Sequence, residues 1–207
     1  YRDVPIDHEA TLQSIPEIAD RHELKGAIGI LSGFLGTRGT LQGRDITLER
    51  GSSDATATYW GAALKLDQIV IYSDQPGISP VDPRIVPDLN PLSNLTYREA
   101  RVFAGLGAKI IQDVAVRPAE ERRIPIVVKH NEDENGSGTH IHVCPPDLDH
   151  QGVKAIASDP GYILFNVMDV RPNEVGVASR IQEIFSRHGF NIAYHQDGDD
   201  CLAFAIK

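Results

Sequence analysis

Cysteine is nearly missing from this sequence, with only Cys144 and Cys201 in 207 residues. The pair can make at most one bridge in a chain large enough not to need it, which points to a reducing compartment, the cytoplasm. Long apolar runs are missing too. Nowhere do about 18 apolar residues stand together, which excludes a spanning helix, and Tyr1-Arg2-Asp3-Val4-Pro5 lacks the apolar centre of a signal peptide. Cationic excess is the third absence. Lys and Arg number 20 against 29 Asp and Glu, a net charge of −9, and no basic cluster is dense enough to neutralise a run of phosphates. A nucleic-acid or membrane partner is therefore not expected. What is present suits a soluble globular protein. Hydrophobic residues make up 41% of the chain, enough to fill a core, and 207 residues allow one domain of ordinary size plus a small second one.

Strand and helix signals alternate along the first 143 residues. Asp7 is an N-cap candidate for a helix through Leu12, Ile15, Ile18, Ala19 and His22, with Pro16 either inside it or starting a second helix. Gly26 to Leu31 reads as a short buried strand, Thr37 to Arg50 as a loop or hairpin, and Asp54 to Leu64 as a buried helix capped by Ser52 or Ser53. Gln68 to Tyr72 is a buried strand, followed by a Pro/Gly-rich extended region from Ser73 to Pro91. Thr96 and Glu99 have capping-box spacing at the head of a helix from Tyr97 to Leu106. A strand-like Ala108 to Ile111, a helical turn from Pro118 to Arg123, and strands Ile124 to Val128 and Thr139 to Cys144 complete the series. Such interleaving predicts an α/β layer structure with a mainly parallel sheet. Residues 1–145 are expected to form this domain and 146–160 a linker. Residues 161–207 then read as a compact β-α-β-β unit, with strands Tyr162 to Met168, Asn191 to His195 and Cys201 to Ile206 around an amphipathic helix stopped at Gly189.

Three places can carry chemistry. In Thr47-Leu48-Glu49-Arg50-Gly51-Ser52-Ser53-Asp54, small residues precede a helix, so backbone N–H groups and the helix dipole favour an anion while Arg50 grips it bidentately. Asp54 in the first turn can orient a cation. The same run is equally that of an ordinary serine-capped helix with a solvated Arg. Ser73-Asp74-Gln75-Pro76-Gly77-Ile78 with Asp82-Pro83-Arg84 lies beyond the C-terminal end of a buried strand, where open α/β sheets bind ligands. Gly107-Ala108-Lys109 adds one Lys beside a tight turn. Each alone is the commoner pattern of turn plus surface charge, and their combination in one sheet is an inventory suited to phosphoryl transfer. His140 and His142 share a strand face without a third ligand at metal-site spacing, so no metal site is expected. His188 and His195 are read as packing or surface residues of the small unit, and the cysteines as inert.

Taken in order, Gly33-Phe34-Leu35-Gly36, Thr47 to Asp54, Ile71 to Ile78, Asp82-Pro83-Arg84-Ile85-Val86 and Gly107-Ala108-Lys109-Ile110-Ile111 resemble the nucleotide-binding half of the aspartokinases in the amino-acid kinase family. The likeness spans about residues 26 to 143. The terminal β-α-β-β unit resembles the first ACT-type regulatory domain that follows the kinase domain there. This resemblance implies a partial amino-acid-kinase-type α/β sandwich followed by an incomplete α+β ACT-like unit. It also implies ATP-dependent phosphorylation of the aspartate β-carboxylate, with Mg²⁺ accompanying ATP, on the way to lysine, threonine and methionine. Carried over by position, Asp54 is the catalytic aspartate that orients a catalytic lysine, and Arg50, Gly51, Ser52 and Ser53 hold the amino-acid substrate. Ser73, Asp74, Ser79, Arg84, Lys109 and Ile110 contact nucleotide, and Asp169, Asn173, Val175 and Gly176 line the place where ACT domains meet an amino-acid effector.

The chain also departs from the family pattern. Glu49 and Ser52 stand where the family usually has Gly, Gln112-Asp113 where it usually has His-Pro, and Ser79 where an aromatic residue is usual. The family's opening strand with the catalytic lysine has no counterpart in these residues, so the chain is expected to be cut at both ends. It would then need an N-terminal lobe from another chain or a missing segment, and form a homo-oligomer or a complex with such a chain. The alternatives are a non-catalytic ACT-containing regulatory subunit and a degenerate kinase-like protein acting on another amino acid.

Overall fold

The computed structural model describes residues 6–23, 26–39, 43–48, 52–105, 111–133, 135–143, 153–156, 158, 161–168, 176–197 and 201–206. It divides into two compact units, Tyr1–Ser158 and Asp159–Lys207.

In the first unit, helix α1 (His8–Arg21) begins where Asp7 accepts from the Ala10 N–H at 3.0 Å, and Pro16 lies inside this one helix rather than starting another. Strands β1 (Leu35–Arg38) and β2 (Arg44–Thr47) form an antiparallel hairpin. Helix α2 (Ser52–Ala63) already includes Ser52 and Ser53, so neither caps it, and the cap position falls at residue 51, outside the described residues. Strand β3 (Ile69–Ser73) follows. The short β4 (Asn94–Thr96), which the sequence pattern does not announce, leads directly into α3 (Tyr97–Gly105). There Thr96 and Glu99 form the expected capping box, the Thr96 N–H donating to the Glu99 carboxylate at 2.7 Å and the Glu99 N–H to the Thr96 hydroxyl at 3.1 Å.

Helix α4 spans Asp113–Arg122, starting well before the expected Pro118. Pro118 is tolerated inside it because the ring is fully buried, so packing repays the lost N–H. Strands β5 (Ile126–His130) and β6 (Thr139–His142) complete a four-stranded sheet of order β3-β5-β6-β4. Two of its three pairings are parallel, β3 with β5 and β4 with β6, while β5 and β6 run antiparallel.

One core joins the helices to the sheet, with Ile15 of α1, Tyr59 of α2, Ala100 of α3 and Val116 of α4 in one cluster with the strand residues Ile71, Leu95, Ile126, Val128 and Ile141. Each such buried aliphatic contributes roughly 1.5–3 kcal/mol relative to exposure. The expected strand at Gly26 to Leu31 does not form. Ile28 and Ile30 are each 94% exposed, so nothing buries the side chains that a central strand would have to hide. The Ala108 to Ile111 segment lies outside the described residues except for the buried Ile111. Residues 153–156, within the expected linker, are held on this unit: the Ile156 N–H donates to the Pro80 carbonyl at 2.8 Å.

The second unit consists of β7 (Ile163–Met168), α5 (Val177–Arg187), β8 (Ile192–Asp197) and β9 (Cys201–Ile206). Its antiparallel sheet has the order β7-β9-β8, the β-α-β-β arrangement read from the sequence. Leu202, Phe204 and Ile206 of the central strand are buried, and Phe185 of α5 packs its ring against Phe165, Phe190 and Phe204. Gly189 (φ 78°) ends α5, and the Phe190 N–H returns to the Phe185 carbonyl. His195 stacks on Phe204, whereas His188 is the exposed C-cap of α5.

Candidate active site

Chain geometry brings two of the three sequence clusters to one end of the first unit. Helix α2 packs on β3 and joins its start through a short turn, so the helix N-terminus and the strand C-terminus lie at the same end. Their lengths agree, about 18 Å for 12 helical residues and about 16 Å for five extended ones. Parallel β5 ends there as well, and the Asn131 N–H donates to the Ser73 carbonyl at 2.9 Å.

At the helix end, Ser52 is buried, Ser53 exposed and Asp54 half-buried. Burial raises the Asp54 pKa, and the Ser53 hydroxyl, 3.4 Å away, only partly offsets this. Gly33 passes close by: a Cβ there would lie 3.1 Å from Ser53 Cα, so a larger residue would require the loop or the first helical turn to give by a few tenths of an ångström. The next residue, Phe34, adopts φ 70°, a strained value for a bulky residue, and its carbonyl accepts from the Leu48 N–H at 2.9 Å to close the hairpin. Arg50 and Gly51 lie outside the described residues.

At the strand end, the Ser73 hydroxyl donates to the Asp74 carboxylate at 3.2 Å and accepts from the Gln75 N–H at 3.2 Å, which opens a turn. The Ile78 N–H then donates to the Thr139 hydroxyl at 2.7 Å, which itself donates to the Leu92 carbonyl at 2.6 Å, and Leu92 N–H returns to Ile78 O at 2.8 Å. Thr139 is fully buried and so pins both ends of the Ile78–Leu92 excursion. Gly77 (φ 152°) is required beside it, since a Cβ would fall 2.7 Å from the Thr139 hydroxyl oxygen. Ser79 follows, half-buried. Arg84 is held by Asp82: Nε donates to both carboxylate oxygens at 3.0 and 3.1 Å, Nη2 to Oδ2 at 2.6 Å, and the Arg84 N–H to Oδ1 at 2.9 Å. The guanidinium side chain nevertheless stays 75% exposed, an oriented cation facing solvent. The Asp82 carboxylate raises its pKa further, so the charge is permanent.

Lys109 and Ile110 lie outside the described residues, as do Asp169, Asn173 and Val175. Gly176 is the N-cap of α5 (φ 86°) in the second unit. His140 and His142 hydrogen-bond to Ser137 O and Asn94 Oδ1, and among the described residues no group of three potential ligands forms a metal site.

Asp82 stands in the Asp82-Pro83-Arg84 cluster of the sequence reading, but its part in holding Arg84 is not assigned there. Thr139 escaped the sequence reading as a site residue, because only the fold brings it to Ile78.

Comparison with known proteins accords with this layout. Residues 3–130 match the amino acid kinase family. The chain is 34% identical over 181 residues to an aspartokinase of Pseudomonas aeruginosa, covering 84% of this chain and 43% of that protein. It is 32% identical over 167 residues to the chloroplastic aspartokinase 1 of Arabidopsis thaliana, covering 80% of this chain and 29% of that protein. The chain thus spans less than half the length of these curated relatives. Its fold matches the crystal structure of Clostridium acetobutylicum aspartate kinase with a TM-score of 0.79 at 24% identity, over 98% of this chain and 46% of that one. It also matches E. coli aspartokinase III in complex with aspartate and ADP with a TM-score of 0.68 at 24% identity, over 95% of this chain and 44% of that one. Among the described residues no helix is long and apolar enough to cross a membrane. The chain belongs to the amino acid kinase family, and within it is similar to the aspartokinases.

Proposed function

We propose that this chain supplies the nucleotide-binding half of an aspartate kinase, which phosphorylates the aspartate β-carboxylate with ATP and Mg²⁺. One observation carries the reading: the α2 N-terminus with Asp54 and the C-terminal end of β3, from which the chain runs on from Ser73 to Arg84, lie at the same end of the first unit, in a chain 34% identical to an aspartokinase. The donor set suits a nucleotide, with hydroxyl and carboxylate groups at Ser73 and Asp74 for neutral hydroxyls, and the oriented Arg84 for phosphate charge.

ATP, when bound, supplies the phosphoryl group. The chain's own residues position and neutralise. Arg84 presents its charge without reorganising because Asp82 already fixes it. Helix α2 directs its N-terminal dipole toward an anionic amino acid at Ser52, Ser53, Arg50 and Gly51. Asp54, whose burial disfavours its charge, gains most from a cation brought beside it, which is the part assigned to it in orienting a lysine. That lysine is assigned to an N-terminal lobe, in the same polypeptide or on another chain. Residues 1–145 are the kinase portion, 146–160 the connection and 161–207 the ACT-like unit, where Asp169, Asn173, Val175 and Gly176 meet an amino-acid effector.

Calorimetric titration of ATP into the chain tests the nucleotide half. A marked weakening of binding in both Lys109→Ala and Arg84→Ala is expected. An aspartate-dependent hydroxamate assay with and without an N-lobe-bearing partner tests the reaction. A chain that binds lysine or threonine but no nucleotide would instead be a regulatory subunit.

A further inference from the structure

We propose that residues 153–156 form a strap that sets the position of the loop carrying Ser79 and Arg84, with Lys154 as its positioning residue. Apolar burial does not hold this segment, since Val153 is 82% and Ile156 61% exposed. Two polar anchors do. The Lys154 ammonium donates to both carboxylate oxygens of Glu99 at 3.1 Å, and the Ile156 N–H donates to the Pro80 carbonyl at 2.8 Å. Glu99 is itself immobilised by the capping box at the start of α3, so the Lys154 anchor is a rigid one.

Pro80 is a telling place for the second anchor. The excursion is fastened from inside at Ile78 and Leu92 by Thr139 and closes a turn at Asp82, whose carbonyl accepts from the Ile85 and Val86 N–H groups. Between Ile78 and Asp82 the stretch contains Ser79 and Pro80, and the strap fastens it from the outer side. A shift there moves Asp82, and Asp82 carries Arg84 with it. The chain beyond Ser158 is the second unit, so the strap is also the covalent approach to that unit.

The consequence for ATP rests on the proposed nucleotide role of this loop, while the mechanical claim does not. Hydrogen exchange of the intact chain separates the two, comparing wild type with Lys154→Met, Lys154→Arg and Ile156→Pro, which removes the anchoring N–H. Lys154→Met and Ile156→Pro are expected to speed exchange in peptides spanning residues 78–86 about fivefold, with β5 unchanged and Lys154→Arg near wild type. The ATP dissociation constant should rise by a similar factor in the same two variants. Unchanged loop exchange in Lys154→Met and Ile156→Pro overturns the proposal, as does Lys154→Arg behaving like Lys154→Met. Faster exchange with unchanged ATP affinity reduces the strap to a structural stitch and overturns its positioning role. A wild-type chain that binds no ATP sinks the proposed function, and the exchange data still decide the strap.

Discussion

The Thr139 hydroxyl lies 2.7 Å from the Ile78 backbone nitrogen, joining the first residue of β6 to a loop 61 positions earlier in the chain. Because that oxygen also donates to Leu92 O, replacing Thr139 with the near-isosteric Val leaves a buried N–H and a carbonyl without this partner. Thr139→Val should therefore cost about 2–3 kcal/mol, and Thr139→Ser, which keeps both bonds, less than about 1 kcal/mol. Urea denaturation of the two variants measures the difference. A Val variant as stable as wild type would show that the hydroxyl does not hold the loop.

Asp54 poses the opposite case, a group whose ionisation the fold opposes. Its pKa is raised in the folded state by burial, so the folded chain holds its proton more tightly than the unfolded one. Stability from this group is thus lost as pH rises from the unfolded to the folded pKa, and the cost is fully present at neutral pH. Asp54→Asn should stabilise the chain at pH 7 by under about 1 kcal/mol after solvent screening, and by less at acidic pH. Thermal melts at both pH values check this. If the kinase reading holds, the same variant abolishes phosphoryl transfer in the complemented assay, a trade of stability for function.

Local signals were legible in the sequence wherever one element decides its own shape. The Asp7 cap, the Thr96/Glu99 capping box, the Gly189 stop and the β-α-β-β order all rest on residues a few positions apart. Readings failed where a distant partner decides. Ile28 and Ile30 carry the alternation-free apolar run of a buried strand, yet burial is supplied by neighbours, and none among the described residues covers them. Pro118 looks like a helix start until its burial against the core is known. In the candidate site, the location of Ser73, Asp74 and Arg84 at and after the end of a strand was readable, whereas the Thr139–Ile78 and Lys154–Glu99 bonds act across 61 and 55 residues and leave no local trace.

Asp82 is expected to matter for nucleotide affinity through Arg84 alone. Its carboxylate takes the guanidinium at Nε and Nη2, fixing a side chain that would otherwise sample many rotamers in water. Asp82→Asn should weaken ATP binding by about three- to tenfold when Arg84 is present but add little in an Arg84→Ala background, because the two act in series. Additive losses, read by calorimetry across the four-member cycle, would show that Arg84 does not depend on Asp82.

Acid should unfold the first unit partly through Glu99 and Glu121. Burial works to raise the Glu99 pKa, but the Thr96 N–H, the Lys154 ammonium and the Thr96 hydroxyl outweigh it and leave the carboxyl below its ordinary 4.5. Hydrogen bonds from His8 and Arg117, at 2.7 and 2.9 Å, lower Glu121 likewise, tying α1 to α4. Folded pKa values below the unfolded ones mean that the stabilisation is complete above pH 4.5 and disappears as pH falls through the folded values. Both groups are partly exposed, so together they contribute under about 2 kcal/mol. Stability measured by denaturant between pH 7 and pH 3 should fall along this limb, and Glu99→Gln with Glu121→Gln should flatten it while lowering the neutral-pH plateau. An acid limb of unchanged steepness in the double variant would assign the loss to other carboxylates.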